Sequence, residues 1–120
     1  MSAEGSDTTQ RTAFHNLDQL LEQWIETVRD DKLAVIESSI TLTKKRSEKT
    51  QEDLDERIQA AAAAERAGNA PDEALLKDIE DLRSRIKNND VFIAGKRKEQ
   101  EEVKADAAAD IERYKRLKGL

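Results

Sequence analysis

The chain has 120 residues, of which 39% are charged, 37% hydrophobic and 3% aromatic, and it carries a formal net charge of −5. Much of the hydrophobic fraction is alanine, which buries little area, so the composition argues against a compact globular core and fits long helices or a coiled coil. The acidic balance argues against the whole molecule attracting nucleic acid, and the absence of cysteine removes disulfides, thiolate metal sites and thiol nucleophiles together.

Residues 1–12 are small and polar, with Gly5, Ser6, Asp7, Thr8 and Thr9. They lack the basic and apolar regions of a signal peptide and read as a flexible tail, with Thr12 placed to cap the first helix. From Phe14 the apolar residues step by three and four through Leu17, Leu21, Trp24 and Val28, which is helical spacing. The stripe shifts phase to Leu33, Ile36 and Ile40, turns polar at Thr43, Ser47 and Thr50, and recovers at Leu54, Ile58 and Ala61. No Gly or Pro interrupts it, so one helix is predicted over 13–67. Such regular periodicity also argues against disorder, the competing reading of a highly charged chain.

The stretch "ERAGNAPDEALL" ends that helix. Gly68 suits a left-handed C-terminal cap, and Asn69 can share that role. Pro71 cannot continue the helix but suits the start of the next, where Asp72 and Glu73 complement the positive helix N-terminus. The turn is therefore set at 68–71 and the second helix at 72–118.

In that helix Ile79, Leu82, Ile86, Asn89, Ile93, Lys96, Gln100, Val103, Ala107, Asp110, Tyr114 and Leu117 alternate steps of three and four without a slip. This is a heptad seam with polar members. Two long helices joined by a tight turn pack antiparallel. The predicted fold is thus all-α, a long antiparallel helical hairpin with a bend allowed near 88–96. Counting outward from the turn sets Leu54 and Ile58 against Ile86 and Leu82, Ile36 and Ile40 against Val103 and Gln100, and Leu21 and Ile25 near Tyr114 and Leu117. The segment Asn88, Asn89, Asp90 and Gly95 is poor in helix formers. It lies at the height of Thr43–Thr50, giving a polar waist that could act as a hinge, and a break at 88–90 would turn the hairpin into three helices.

Two features point to function. A two-stranded seam needs only a narrow stripe, yet Phe14, Leu17, Leu20, Leu21, Trp24, Ile25 and Val28 make a wide one, with Ile111, Tyr114, Leu117 and Leu120 on the other arm. Leu17, Leu21, Trp24, Ile25, Tyr114 and Leu117 are the expected partner-binding residues, because a wide wet apolar face marks an interface and Trp and Tyr anchor such contacts. The second feature is basic. Lys44, Lys45 and Arg46, with Lys96, Arg97 and Lys98, are expected at one height around the waist, a candidate anion-binding belt balanced by Glu48, Glu99, Glu101 and Glu102. No base-stacking platform accompanies it, since only Phe92 is near.

Catalysis finds little support. His15 is the lone histidine, so no multi-histidine metal site can form, and no glycine-rich phosphate loop is present. Acidic pairs such as Asp30 with Asp31, or Asp53 with Glu56, lack a pocket that would desolvate them. No cofactor, metal or catalytic residue is expected. A lipid-coating role is disfavoured by Asp18, Glu22, Glu26, Asp30 and Asp31 beside the apolar residues, and no run is long enough to span a membrane. The sequence therefore predicts a soluble, cytoplasmic, non-enzymatic interaction subunit: structural, adaptor, scaffold or chaperone-like. It would form a homo-oligomer or join a larger protein assembly, and a nucleic-acid-associated module using the belt is the alternative.

Overall fold

A computed structural model describes the backbone of residues 3–119 and the side chains of residues 15–119. The fold is all-α. Helix α1 spans Ala3–Arg66, helix α2 spans Glu73–Lys118, and there is no strand among the described residues. This is the antiparallel helical hairpin that the periodicity predicts. Helix α1 begins at Ala3, inside the stretch expected as a tail. The side chains of that stretch, with those of Phe14 and Leu120, lie outside the described residues.

The turn is built as its residue types require. Gly68 has φ +81°, the left-handed conformation that a residue with a Cβ adopts only under strain. Its N–H donates to the Glu65 carbonyl at 2.9 Å, and the Asn69 N–H donates back to Ala64 at 2.9 Å. These two bonds satisfy carbonyls that the helix end would leave without partners. The chain then leaves helical geometry through Pro71, and the Asp72 carbonyl accepts the first bond of α2 from the Leu76 N–H at 3.1 Å. Asp72 thus occupies the capping position, one residue before Glu73.

The chain packs as two units, one formed by Ile36–Glu99 and the other by the residues up to Val35 together with those from Gln100 onward. In the unit that carries the turn, Ile40, Leu54, Thr43 and Ile79 are buried, and Leu75, Leu82, Ile86, Asn89, Ile93 and Lys96 are half-buried. Over 79–96 the heptad seam of α2 is as read from the sequence. Asn88–Asp90 do not break it, and α2 is continuous there. Two of the polar seam residues on α1 bond back to their own helix. Thr43 Oγ1 donates to the Ser39 carbonyl and Thr50 Oγ1 to the Arg46 carbonyl, each at 2.9 Å. A hydroxyl bonded back to residue i−4 can sit in a seam without a partner across it. Among the described residues, no buried side-chain nitrogen or oxygen lacks a hydrogen bond.

The register differs from a symmetric count about the turn. That count sets Arg57 opposite Arg83, but Arg57 pairs with Asp78 at 3.9 Å. It sets Arg97 opposite Thr43, but Arg97 donates to Glu37 at 2.7 Å. Helix α2 therefore starts about one turn below the end of α1. Six residues, 67–72, lie outside both helices, and the last four of them belong to no turn either. Such residues can advance about 3.3 Å each, against 1.5 Å in a helix. They cross to the second helix and descend alongside α1.

Candidate functional site

In the unit formed by the residues up to Val35 and from Gln100 onward, two stripes on α1 compete to face α2. Leu17, Leu21, Trp24 and Val28 form one. Asp18, Glu22, Ile25 and Arg29 form the other, one residue later and about 100° further round the helix. The charged stripe turns inward: Asp18, Glu22, Ile25 and Arg29 are half-buried. The seam of α2 opposite runs through Val103, Ala107, Ile111 and Tyr114, with Ala107 buried. The sequence reading placed Leu17, Leu21 and Trp24 on the seam, and Asp110 and Leu117 with them. All five are exposed, and Ile111 occupies the place assigned to Asp110.

A polar clasp holds this choice. The Tyr114 hydroxyl donates to Asp18 Oδ1, and Lys118 Nζ lies 2.9 Å from Asp18 Oδ2. The Asp18 side chain is only 17% exposed. The bond from Tyr114, then that from Lys118, hold its carboxyl below the usual carboxylate range. Accepting that bond, Asp18 pushes the Tyr114 phenol up to about 12, and burial adds in the same direction. Both shifts follow from one hydrogen bond that needs a neutral phenol and a charged carboxylate.

With the charged stripe inward, Leu17, Leu21 and Trp24 face outward, while Val28 is half-buried. Trp24 is 65% exposed, Leu20 60%, Leu17 51% and Leu21 38%; on α2, Leu117 is 63% exposed. Leu117 follows Asp110 by one heptad, and Asp110 lines a small groove of about 120 Å³ with Trp24, Val28 and Lys32. Trp24, Leu17, Leu20, Leu21 and Leu117 therefore share one side of the unit. Of the expected partner-binding residues, Leu17, Leu21, Trp24 and Leu117 come together on this face. Ile25 and Tyr114 sit behind it, half-buried in the seam. Leu20, noted in the sequence only for width, is among the most exposed members.

The basic belt does not close into a ring. The register shift brings Lys45 and Arg46 level with Asn88 and Asn89 instead of Lys96–Lys98. Lys45, Arg46 and Lys49 of α1 and Arg85 of α2 line an open groove of about 650 Å³ with Thr50, Asp53, Asn88 and Asn89. Lys49 and Arg85 carried no signal in the sequence because their meeting depends on register. Lys49 pairs with Asp53 at 3.4 Å. Lys96 pairs with Glu99 at 3.0 Å and lies 5.4 Å above the Phe92 ring, while Arg97 is held by Glu37. Lys44 and Lys98 are exposed.

No group of three or more His, Cys, Asp or Glu side chains that could hold a metal ion occurs among the described residues, nor does a helix long and apolar enough to cross a membrane. Comparison of the chain with family models, with curated proteins and with solved structures finds no match.

Proposed function

We propose that the chain is a non-enzymatic protein–protein interaction subunit, structural or adaptor-like, that docks through the apolar face of Leu17, Leu20, Leu21, Trp24 and Leu117. One observation carries the reading. The hairpin uses a charged stripe for its own seam and leaves its only tryptophan outside, 65% exposed, among three leucines. Exposed apolar side chains scattered singly are ordinary, but a contiguous cluster built around a tryptophan is the composition of an interface centre. A photoreactive residue in place of Trp24 tests this in the host cell. A defined protein adduct at position 24, absent when the probe replaces Glu26 on the opposite side of the helix, is the expected result. Equal labelling at both positions, or none at 24, refutes the reading.

The second reading is a nucleic-acid-associated module, favoured by the four cations that line the groove at Lys45, Arg46, Lys49 and Arg85. Its signature is binding that weakens steeply with salt and is lost on changing Lys45 and Arg85 to Glu.

A further inference from the structure

We infer that the occupant of this face is a second copy of the chain, seated by a two-fold axis that passes between Leu20 and Leu21 and runs the two α1 helices antiparallel. The inference rests on the docking reading above and adds the partner's identity and register.

Three observations carry it. The first is spacing. The exposed residues Leu17, Leu20, Leu21 and Trp24 read the same from either end, in steps of three, one and three. A two-fold interface is self-complementary: if residue i touches j, then j touches i. Reversal about the midpoint lays Leu17 on the partner's Trp24 and Leu20 on the partner's Leu21, each apolar side chain meeting another.

The second is area. From their exposures, the four residues with Leu117 present on the order of 500 Å² of apolar side chain to water. A standard interface buries about 800 Å² per partner, roughly 60% of it apolar. The face therefore supplies about the apolar area that one stable two-fold contact needs.

The third is charge, which selects the direction. The stripe continues by heptad spacing from Trp24 to Asp31. In a parallel pairing Asp31 would lie against its own copy, two like charges at one level. The antiparallel register sets the two copies of Asp31 21 residues apart along the helix, about 30 Å. Like charges brought together in an interface are unfavourable, so the antiparallel arrangement is preferred.

The test uses the full chain, which has no cysteine of its own. Sedimentation equilibrium of the unmodified protein should give twice the 13.6 kDa chain mass. Single Leu20→Cys, Leu17→Cys, Trp24→Cys and Glu26→Cys variants are then oxidised under mild conditions. Leu20 lies next to the axis, so Leu20→Cys should form a disulfide-linked dimer. Leu17 is offset from its own copy by seven residues, about 10 Å along the helix, beyond the reach of a disulfide. At protein concentrations above the Kd that loss of Trp24 leaves, Leu17→Cys and Trp24→Cys should each stay monomeric on denaturing gels but link when mixed, and Glu26→Cys should not link. A monomeric parent chain overturns the inference. So does self-linking of Leu17→Cys or Trp24→Cys as efficient as that of Leu20→Cys, the mark of a parallel pair. A monomer that still gives a position-24 adduct with another protein refutes self-association while leaving the docking reading intact. Loss of the adduct as well refutes both.

Discussion

Removing Trp24 should separate association from folding, and the structure gives the size of each effect. With about 250 Å² on a free tryptophan, 65% exposure leaves about 160 Å² wet in the hairpin and about 90 Å² already covered. At about 25 cal/mol per Å², covering the wet part is worth up to about 4 kcal/mol, and the part already covered up to about 2 kcal/mol of folding stability. Imperfect desolvation and lost rotamer freedom take a large share of the first figure, leaving about 1 to 2 kcal/mol per tryptophan; the two-fold contact holds two, so Trp24→Ala should weaken assembly by about 2 to 4 kcal/mol. At about 1.4 kcal/mol per factor of ten, that is a rise in Kd of roughly thirty- to several-hundred-fold. Sedimentation equilibrium reads the Kd. Urea unfolding followed by circular dichroism, at concentrations far below that Kd, reads the fold without the contribution of association. The reasoning fails if the dilute chain loses as much stability as the complex, which would make Trp24 a core residue. It fails equally if the mass distribution does not change.

Three further outcomes follow from the fold and the clasp. Gly68→Ala should lower stability by about 1 kcal/mol through its positive φ alone, since no atom lies within 4 Å of the added Cβ. Gly95→Ala, equally unobstructed but inside α2, should raise stability by about 0.5 to 1 kcal/mol, and opposite shifts in the urea midpoint check the pair. Tyr114 is the only tyrosine, so its ultraviolet phenolate absorbance should titrate near 12 in the folded chain and near 10 in denaturant, and Asp18→Asn should bring the folded value down. The linkage has two limbs. The raised phenol contributes stability that is present below about pH 10 and is lost as pH climbs through about 12. The lowered Asp18 carboxyl contributes stability that is present above about pH 4 and is lost as pH falls through its folded value. Finally, Ile40→Ala should destabilise by about 3 kcal/mol, while Leu42→Ala, two residues on and half exposed, should change the urea midpoint little.

Much of the architecture was legible because it rests on local rules. Gly68, Asn69 and Pro71 punctuate the chain whatever lies around them, and the steps of three and four in α2 mark one face from Ile79 to Ala107. The phase of α1 near its start was not legible, because the stripes at 17, 21, 24 and at 18, 22, 25 obey the same spacing. The stripe that turns inward is the one completed by the bond from Tyr114 to Asp18, a pairing between residues far apart in sequence. The register was hidden for a related reason: a symmetric count treats every residue as a helical rise, and Asn69–Asp72 are not in a helix. That error propagated to the basic belt, which needed Lys44–Arg46 and Lys96–Lys98 at one height. The waist was legible as polar. The second helix expected over 72–118 runs unbroken through Asn88–Asp90, and the break left open there does not occur.

Among the described residues only Ile40 is a large side chain sealed completely from water. Unfolding a chain with so little dry interior exposes little new hydrocarbon, and the heat-capacity increment on melting scales with that exposure. The hairpin should therefore have a flat stability curve for its length, with a broad thermal transition and only weak loss of stability on cooling. Seating a second copy on Trp24 would dehydrate further hydrocarbon and sharpen that curve.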